Sequence, residues 1–348
     1  EMGLEAIEEI EVLAAELAAR LFRARFAEVR MASGAMANLA GFLACTRPGD
    51  RIIAPPPSIG GHVTHHQPGV AGLLGLEIHE APIDAARYTV DVGALADLAD
   101  RVRPRLITVG GSLNLSHHDV AGVRSVADGV GARVLFDAAH LSGPIAGGAW
   151  PDPLADGADL MTMSTYKSLA GPPSGLIVTN DAVVAERVDA IAFPGLTANF
   201  DAGKTAALAI TLADWLTSGR RHAAAMVEGG ATLAAALADR GVPVVRTSEG
   251  FTASHALAIE ATRFGGGTAL ARHLRLANLL TSAIGLPAGP DAGLRLGVNE
   301  LIRWGAGPEQ LVEVGALVAE AITSPRPEEL APEVTALRRR LDTINFAS

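Results

Sequence analysis

Short apolar runs that read as strands recur through the first half of the chain. Arg51-Ile52-Ile53-Ala54, Leu76-Glu77-Ile78-His79, Leu106-Ile107-Thr108-Val109 and Val134-Leu135-Phe136 are four of them. Two more, ending near Met163 and running over Leu176-Ile177-Val178-Thr179, lie on either side of Lys167 and a Gly/Pro turn. Helical stretches fall between, such as 121–130. Residues 4–24 carry Leu4, Ile7, Ile10, Leu13, Leu17 and Leu21 at helical spacing. Strands alternating with helices predict an α/β fold with a mainly parallel sheet. Ligands of such sheets bind at the carboxyl ends of strands. Gly110-Gly111-Ser112, Asp137 and Lys167 all fall at such ends.

The pattern then changes. Residues 181–240 read as mostly helical, with a break at Pro194-Gly195-Leu196 and helices over 206–216 and 223–237. Residues 242–245 and 257–259 read as strands of a second domain. Gly265-Gly266-Gly267 reads as a loop, and 308–342 as two helices with charged faces. There is no internal repeat and no low-complexity segment. The expected division is a large domain over 1–220 and a smaller C-terminal α+β domain over 221–348.

Composition narrows the partners. The 348 residues are 49% hydrophobic, enough for a large core. A formal net charge of -10 argues against a nucleic-acid partner. The lone Cys45 rules out an internal disulfide and fits a reducing, cytoplasmic compartment. No apolar run reaches the ~18 residues of a membrane span. The acidic start, Glu1-Met2-Gly3-Leu4-Glu5, lacks a signal-peptide pattern and, beginning with Glu, can lack the true N-terminus.

The candidate chemistry centres on the stretch from Ala158 to Gly175. An apolar strand stops at Lys167, with Ser164 and Thr165 just before it and Gly171-Pro172 just after. Burying an unpaired ammonium is costly. A desolvated lysine loses its proton easily and can attack an aldehyde, whereas a lysine at a strand end can also snorkel to water. Asp137 ends another buried strand, with His140 three residues on. An aspartate there can keep a pyridine nitrogen protonated, or can simply cap the turn. Ser33-Gly34-Ala35 opens a helical run and presents free backbone N–H groups, either to an anion or to an ordinary cap. The loop Ser58-Ile59-Gly60-Gly61-His62-Val63-Thr64-His65-His66 offers three histidines but no nearby carboxylate or cysteine to complete a metal site. An imidazole stacked on a flat cofactor, or a solvated loop, suits it as well. Arg295, within Gly293-Leu294-Arg295-Leu296-Gly297, can clamp a carboxylate or sit on an edge strand.

In this order and spacing the pieces resemble serine hydroxymethyltransferase and its fold-type-I relatives that use pyridoxal 5'-phosphate (PLP), from about the first residues to about 320. Ser33-Gly34-Ala35 with Ala37-Asn38 looks like the family's phosphate-binding turn. Gly60-Gly61-His62-Val63-Thr64-His65 is similar to its Gly-Gly-His-Leu-Thr-His segment, whose first histidine stacks on the cofactor. Ser112 stands where the family has a serine near the cofactor. Asp137 and His140 match the Asp-x-Ala-His pair, Lys167 the Schiff-base lysine, and Arg295 the arginine that holds the substrate carboxylate. Ser164 joins this expected cofactor set.

The resemblance implies a large PLP-binding domain with a smaller C-terminal domain, a homodimer, an amino-acid substrate, and Cα–Cβ bond cleavage or formation on a β-hydroxy amino acid. Lys167, Asp137 and His62 are the expected catalytic residues. Several positions depart from the family. Its N-terminal arm has no counterpart. Tyr166 replaces a histidine, Ala170 and Pro173 replace two arginines, and Thr197-Ala198-Asn199-Phe200 replaces a Gly-rich segment. Ala277-Asn278-Leu279-Leu280 lies where the family has a run that helps bind folate. Tetrahydrofolate use is thereby left open. The readings are aldolase or transaldolase chemistry without folate, true hydroxymethyl transfer to tetrahydrofolate, another PLP reaction such as β-elimination, racemisation or transamination, and a non-catalytic scaffold.

Overall fold

The computed structural model describes residues 2–347. Its main sheet has seven strands: β1 (Phe26–Glu28), β2 (Arg51–Ala54), β3 (Glu77–Glu80), β6 (Leu106–Gly110), β7 (Arg133–Asp137), β8 (Leu160–Ser164) and β9 (Gly175–Thr179). They lie in the order β1-β9-β8-β7-β6-β2-β3. Pairings from β3 through β8 are parallel; β9 runs antiparallel to both of its neighbours. A small hairpin, β4 (Ile83–Asp84) with β5 (Thr89–Val90), lies between β3 and β6 in the chain.

The near-continuous apolar strands follow from a sheet covered on both faces. Side chains alternate along a strand, so neighbours enter opposite layers. Ile53, Ile107, Val134, Phe136, Met161 and Val178 join one core; Ile52, Leu106, Leu135, Leu160 and Ile177 join the other. The second layer is closed by the helix Gly34–Cys45, which contributes Ala37, Ala40 and Phe42. The first is closed by Glu5–Leu21, Val92–Val102, Val120–Val130 and the long helix Ala202–Ala238.

Beyond the long helix a three-stranded antiparallel sheet forms in the order β10 (Ala256–Glu260), β12 (Gly289–Gly297), β11 (Ser282–Leu286). The helices Gly267–Leu276, Pro308–Thr323 and Ala331–Arg340 complete this part. A smaller C-terminal sheet beside a mostly parallel one is the expected architecture.

Local expectations differ in three places. The helices expected over 206–216 and 223–237 are one helix, Ala202–Ala238, so position 220 lies inside it. Thr217 and Ser218 donate to carbonyls four residues back (3.2 and 3.0 Å). Gly147 of the facing segment is needed for close packing, because a Cβ there would lie 2.4 Å from the Gly219 carbonyl, while a Cβ on Gly219 would lie 2.5 Å from Trp215 Cε3. Residues 242–245 form no regular strand; Val244 makes an isolated bridge to Ile259. The short strands β1 and β11 carry little apolar pattern and were not expected.

Histidines withdrawn from water make stability pH-dependent. Burial pulls His118, His222 and His255 from the usual 6.5 to about 4, with neighbouring positive charge adding to the effect. Between these values the unfolded chain holds protons that the folded chain does not, so stability rises with pH in that window. Glu11 and Asp156, raised by burial, act in the opposite sense but are more exposed to water. The melting temperature is expected to fall steadily from pH 7 to pH 4.5. A flat or rising profile by circular dichroism would remove this account.

Candidate active site

The site forms where β6, β7 and β8 end. Register places Gly110 beside Asp137, and Asp137 beside Thr162. By alternation Thr108, Asp137 and Thr162 share the layer of Leu106, Leu135 and Leu160. Three polar side chains thus meet the first turns of the helix Gly34–Cys45, which delivers Asn38. Gly110 has φ +84°, and a Cβ there would lie 2.3 Å from the Asp137 carbonyl, so the strands close tightly at this end.

Asp137 is buried, and both its oxygens are engaged. Oδ2 accepts from Asn38 Nδ2 and His65 Nε2, each at 3.0 Å; Oδ1 accepts from the Ala139 N–H at 2.9 Å. Burial alone would raise its carboxyl. The His65 hydrogen bond and charge, with the His62 charge and the Ala139 N–H, outweigh burial and hold it well below the usual carboxylate range. His65 is oriented by Thr108 Oγ1 at 2.9 Å, and Asn38 by Thr162 Oγ1, which donates to Asn38 Oδ1 at 2.6 Å.

This network extends to His62. Asn38 Nδ2 donates to Thr64 Oγ1 at 2.9 Å, leaving the Thr64 hydroxyl to donate to His62 Nδ1 at 2.7 Å. The neutral His62 ring then carries its proton on Nε2. Burial lowers His62, with Asp137 opposing and Lys167 reinforcing the shift. Its loop is pressed inward: a Cβ on Gly61 would lie 1.9 Å from the Pro55 carbonyl.

Lys167 follows β8 in a turn where Ala170 N–H donates to its carbonyl at 3.0 Å and Gly171 N–H to that of Thr165 at 2.9 Å. Burial lowers its amine; Asp137 resists and Arg295 assists. The chain has two lysines, Lys167 and Lys204. Lys204 lies in the first turn of the long helix.

Arg295 reaches the site from β12, paired in register with Ala258 and Ser282. Its Nη1 donates to the Ser112 carbonyl at 2.6 Å and lies 3.4 Å from His140 Nε2. Burial lowers Arg295, and Tyr88 opposes. His140 is held well below its ordinary value by burial, with Lys167, Arg295 and His255 adding positive charge.

At the helix start, Ser33 Oγ accepts from Met36 N–H at 3.2 Å. A Cβ on Gly34 would lie 2.1 Å from Ser164 Oγ, which joins the helix start to the end of β8. Ala35 is exposed in the same turn. The structure therefore connects Asp137 to His62 by hydrogen bonds, joins Arg295 to Ser112 and His140, and sets Ser33-Gly34-Ala35 against Ser164. Lys167 interacts electrostatically with Asp137, Arg295, His62 and His140. Thr108 and Thr162 are not singled out by the sequence; Asn38 enters there only with the phosphate-binding turn, and His65 and Thr64 only within the histidine loop, not as the residues that orient Asp137 and His62. Polar residues at matched positions near the ends of apolar strands were the available signal. Among the described residues no group of three or more His, Cys, Asp or Glu forms a metal cage.

The donor set suits PLP. An ionised buried carboxylate can face a protonated ring nitrogen, a desolvated amine can face the aldehyde, and a glycine-bearing helix start can face the phosphate. With the mostly parallel sheet and smaller C-terminal sheet, this defines a fold-type-I PLP enzyme. The chain belongs to the serine hydroxymethyltransferase family, whose profile, described as Serine hydroxymethyltransferase, matches residues 2–318. An alpha-methylserine aldolase of Variovorax paradoxus is 57% identical over 350 residues, covering 99% of this chain and 79% of the relative. One from a Ralstonia species is 51% identical, covering 99% and 80%. A serine hydroxymethyltransferase of Korarchaeum cryptofilum is 37% identical, covering 99% and 84%. The crystal structure of an L-threonine transaldolase from Pseudomonas fluorescens shares the fold, with TM-score 0.90 at 24% identity over 98% of this chain and 79% of that one.

Proposed function

We propose that the protein is a folate-independent aldolase acting on an α-substituted β-hydroxy amino acid, with alpha-methylserine as the leading substrate. The PLP-dependent Cα–Cβ chemistry follows from the family; the substrate is our assignment, supported by the aldolase names of relatives above 50% identity. The observation that carries the reading is the union of Asp137, Lys167 and Arg295 at one end of the sheet.

Bound there, PLP supplies an aldehyde that links to amines and a ring that withdraws the electron pair left when a bond at Cα breaks. Lys167 supplies the uncharged amine for attachment, its proton loosened by burial. Asp137 holds a proton on the ring nitrogen, and its hydrogen bonds keep it ionised for that task. Arg295 grips the carboxylate and so orients the Cα–Cβ bond. His62 offers a flat ring for stacking. In cleavage a neutral His62 with a free Nε2 would take the β-hydroxyl proton and become imidazolium, and in bond formation the same imidazolium would return that proton to the carbonyl oxygen. The free Nε2 requires the ring to turn its Nδ1–H toward Thr64 Oγ1, the tautomer opposite to that of the resting network. Ser33, Gly34, Ala35, Ser112, His140 and Ser164 complete the cofactor and substrate shell.

Replacing Arg295 by Lys is expected to raise KM for the amino acid about 10- to 100-fold, because a planar two-point grip becomes a point charge. An unchanged KM in steady-state kinetics would remove Arg295 from the carboxylate site.

Independence of folate rests on Asn278, Leu279 and Leu280. They line a ≈ 270 Å³ apolar cavity against the C-terminal helices. Lys167 lines an adjoining cavity of ≈ 280 Å³ with Tyr166, Asn299 and Arg303, and Glu300 and Trp304 border both. Measuring alpha-methylserine and serine cleavage with and without tetrahydrofolate tests this. Rates equal within about twofold support the aldolase. Activity only with tetrahydrofolate would instead favour hydroxymethyl transfer, the reading that the family match keeps in view.

We further propose a cytoplasmic homodimer. The lone buried Cys45 fits a reducing compartment. Val63 and Tyr166, chain neighbours of His62 and Lys167, are large apolar residues about half exposed (52% and 51%). Light scattering reads the dimer directly; no helix among the described residues is long and apolar enough to cross a membrane.

A further inference from the structure

Residues 342–347, after the helix Ala331–Arg340, are tied to the protein by backbone contacts. Arg303 Nη1 donates to the carbonyls of Asn345 (2.9 Å) and Phe346 (2.7 Å), and Asn345 N–H donates to the Arg303 carbonyl at 2.8 Å. Ser218 Oγ lies 3.1 Å from the Phe346 carbonyl and 3.0 Å from the Asp214 carbonyl, and its single proton is shared between them. Phe346 holds φ +60°, a conformation costly for a bulky side chain, so these contacts must impose it.

The imposed geometry lays the Phe346 ring flat on His222, with centroids 4.5 Å apart and planes at 8°. His222 in turn stacks on Trp215 at 4.8 Å and 23°. Trp215 Nε1 donates to the Leu169 carbonyl at 2.7 Å. Leu169 is fully buried and lies two residues beyond Lys167. Ile344 from the same segment lines the cavity that Lys167 also lines. Three stacked rings therefore lead from this segment to the turn that presents the amine.

We propose that Trp215 is a positioning residue for Lys167, and that residues 342–347 form a strap that seats Trp215 through His222 and Phe346. The strap thereby sets the orientation of the Lys167 turn during turnover. This rests on Lys167 being the PLP-bearing lysine. An indole that is clamped on its outer face can hold its N–H on the Leu169 carbonyl; a loose one leaves that carbonyl, and the turn, free to shift.

The test uses the PLP-loaded full chain with Trp215→Phe, which keeps a ring but loses the donor, Phe346→Ala, which removes the outer ring, and Phe346→Tyr, which restores it. Two readouts separate positioning from folding: kcat against KM for alpha-methylserine, and the pH midpoint of the visible absorbance of the Lys167-linked cofactor. Trp215→Phe and Phe346→Ala are expected to lower kcat about five- to tenfold with KM little changed, and to move the midpoint by about 0.5 pH unit. Phe346→Tyr should recover both. Unmoved midpoints and kcat in folded Trp215→Phe and Phe346→Ala would overturn the strap while leaving the function intact. A wild-type protein whose cofactor is not on Lys167 would overturn the function reading first, and the strap with it.

Discussion

Lys167→Ala is expected to fold, to lose the covalently held cofactor and to turn over at least about 10³-fold more slowly. The amine is the group whose burial, opposed by Asp137 and assisted by Arg295, favours the uncharged form needed for attack. Alanine removes the attaching atom but few contacts, because the turn is held by its own backbone hydrogen bonds and by Trp215. The melting temperature should stay close to that of the wild type. Retained turnover with a retained visible band would show that another group carries the chemistry.

Asp137→Ala is expected to damage both stability and activity. The side chain is the shared acceptor for Asn38, His65 and the Ala139 N–H in a fully buried setting. Removing it leaves these buried donors without an acceptor, at a cost of about 1–3 kcal/mol each. Asp137→Asn preserves shape and isolates the charge. Without a carboxylate to hold the ring nitrogen's proton, kcat should fall about 10²- to 10⁴-fold. Denaturant unfolding and steady-state assays of the two variants separate the effects. An Asn variant with wild-type kcat would mean that Asp137 is only structural.

The central strands and the ends that carry Asp137 and Lys167 were legible in sequence because burial on both sheet faces writes a strong local signal. The polar scaffold around Asp137 was not. Asn38, His65, Thr108 and Thr162 come together across separations of up to 124 positions, and no local pattern encodes such a meeting. The continuous long helix was hidden for a different reason. In the sequence 217–222 reads as a gap between two helices, yet the helix runs through it, and Gly147 of the neighbouring segment packs there against the Gly219 carbonyl and Ala223. The edge strand Phe26–Glu28 is three residues long, too short for periodicity to register. Arg295 was legible as a carboxylate clamp through resemblance, but its contacts with Ser112 and His140 required the small sheet to dock onto the large one.

Because the chain has two lysines, the chemistry at its centre can be settled by one labelling experiment. The purified protein is incubated with PLP, reduced with borohydride and digested for mass spectrometry. The account predicts stoichiometric pyridoxyl mass on the peptide containing Lys167 and none on that containing Lys204. Label on Lys204 alone, or on neither lysine, would contradict it.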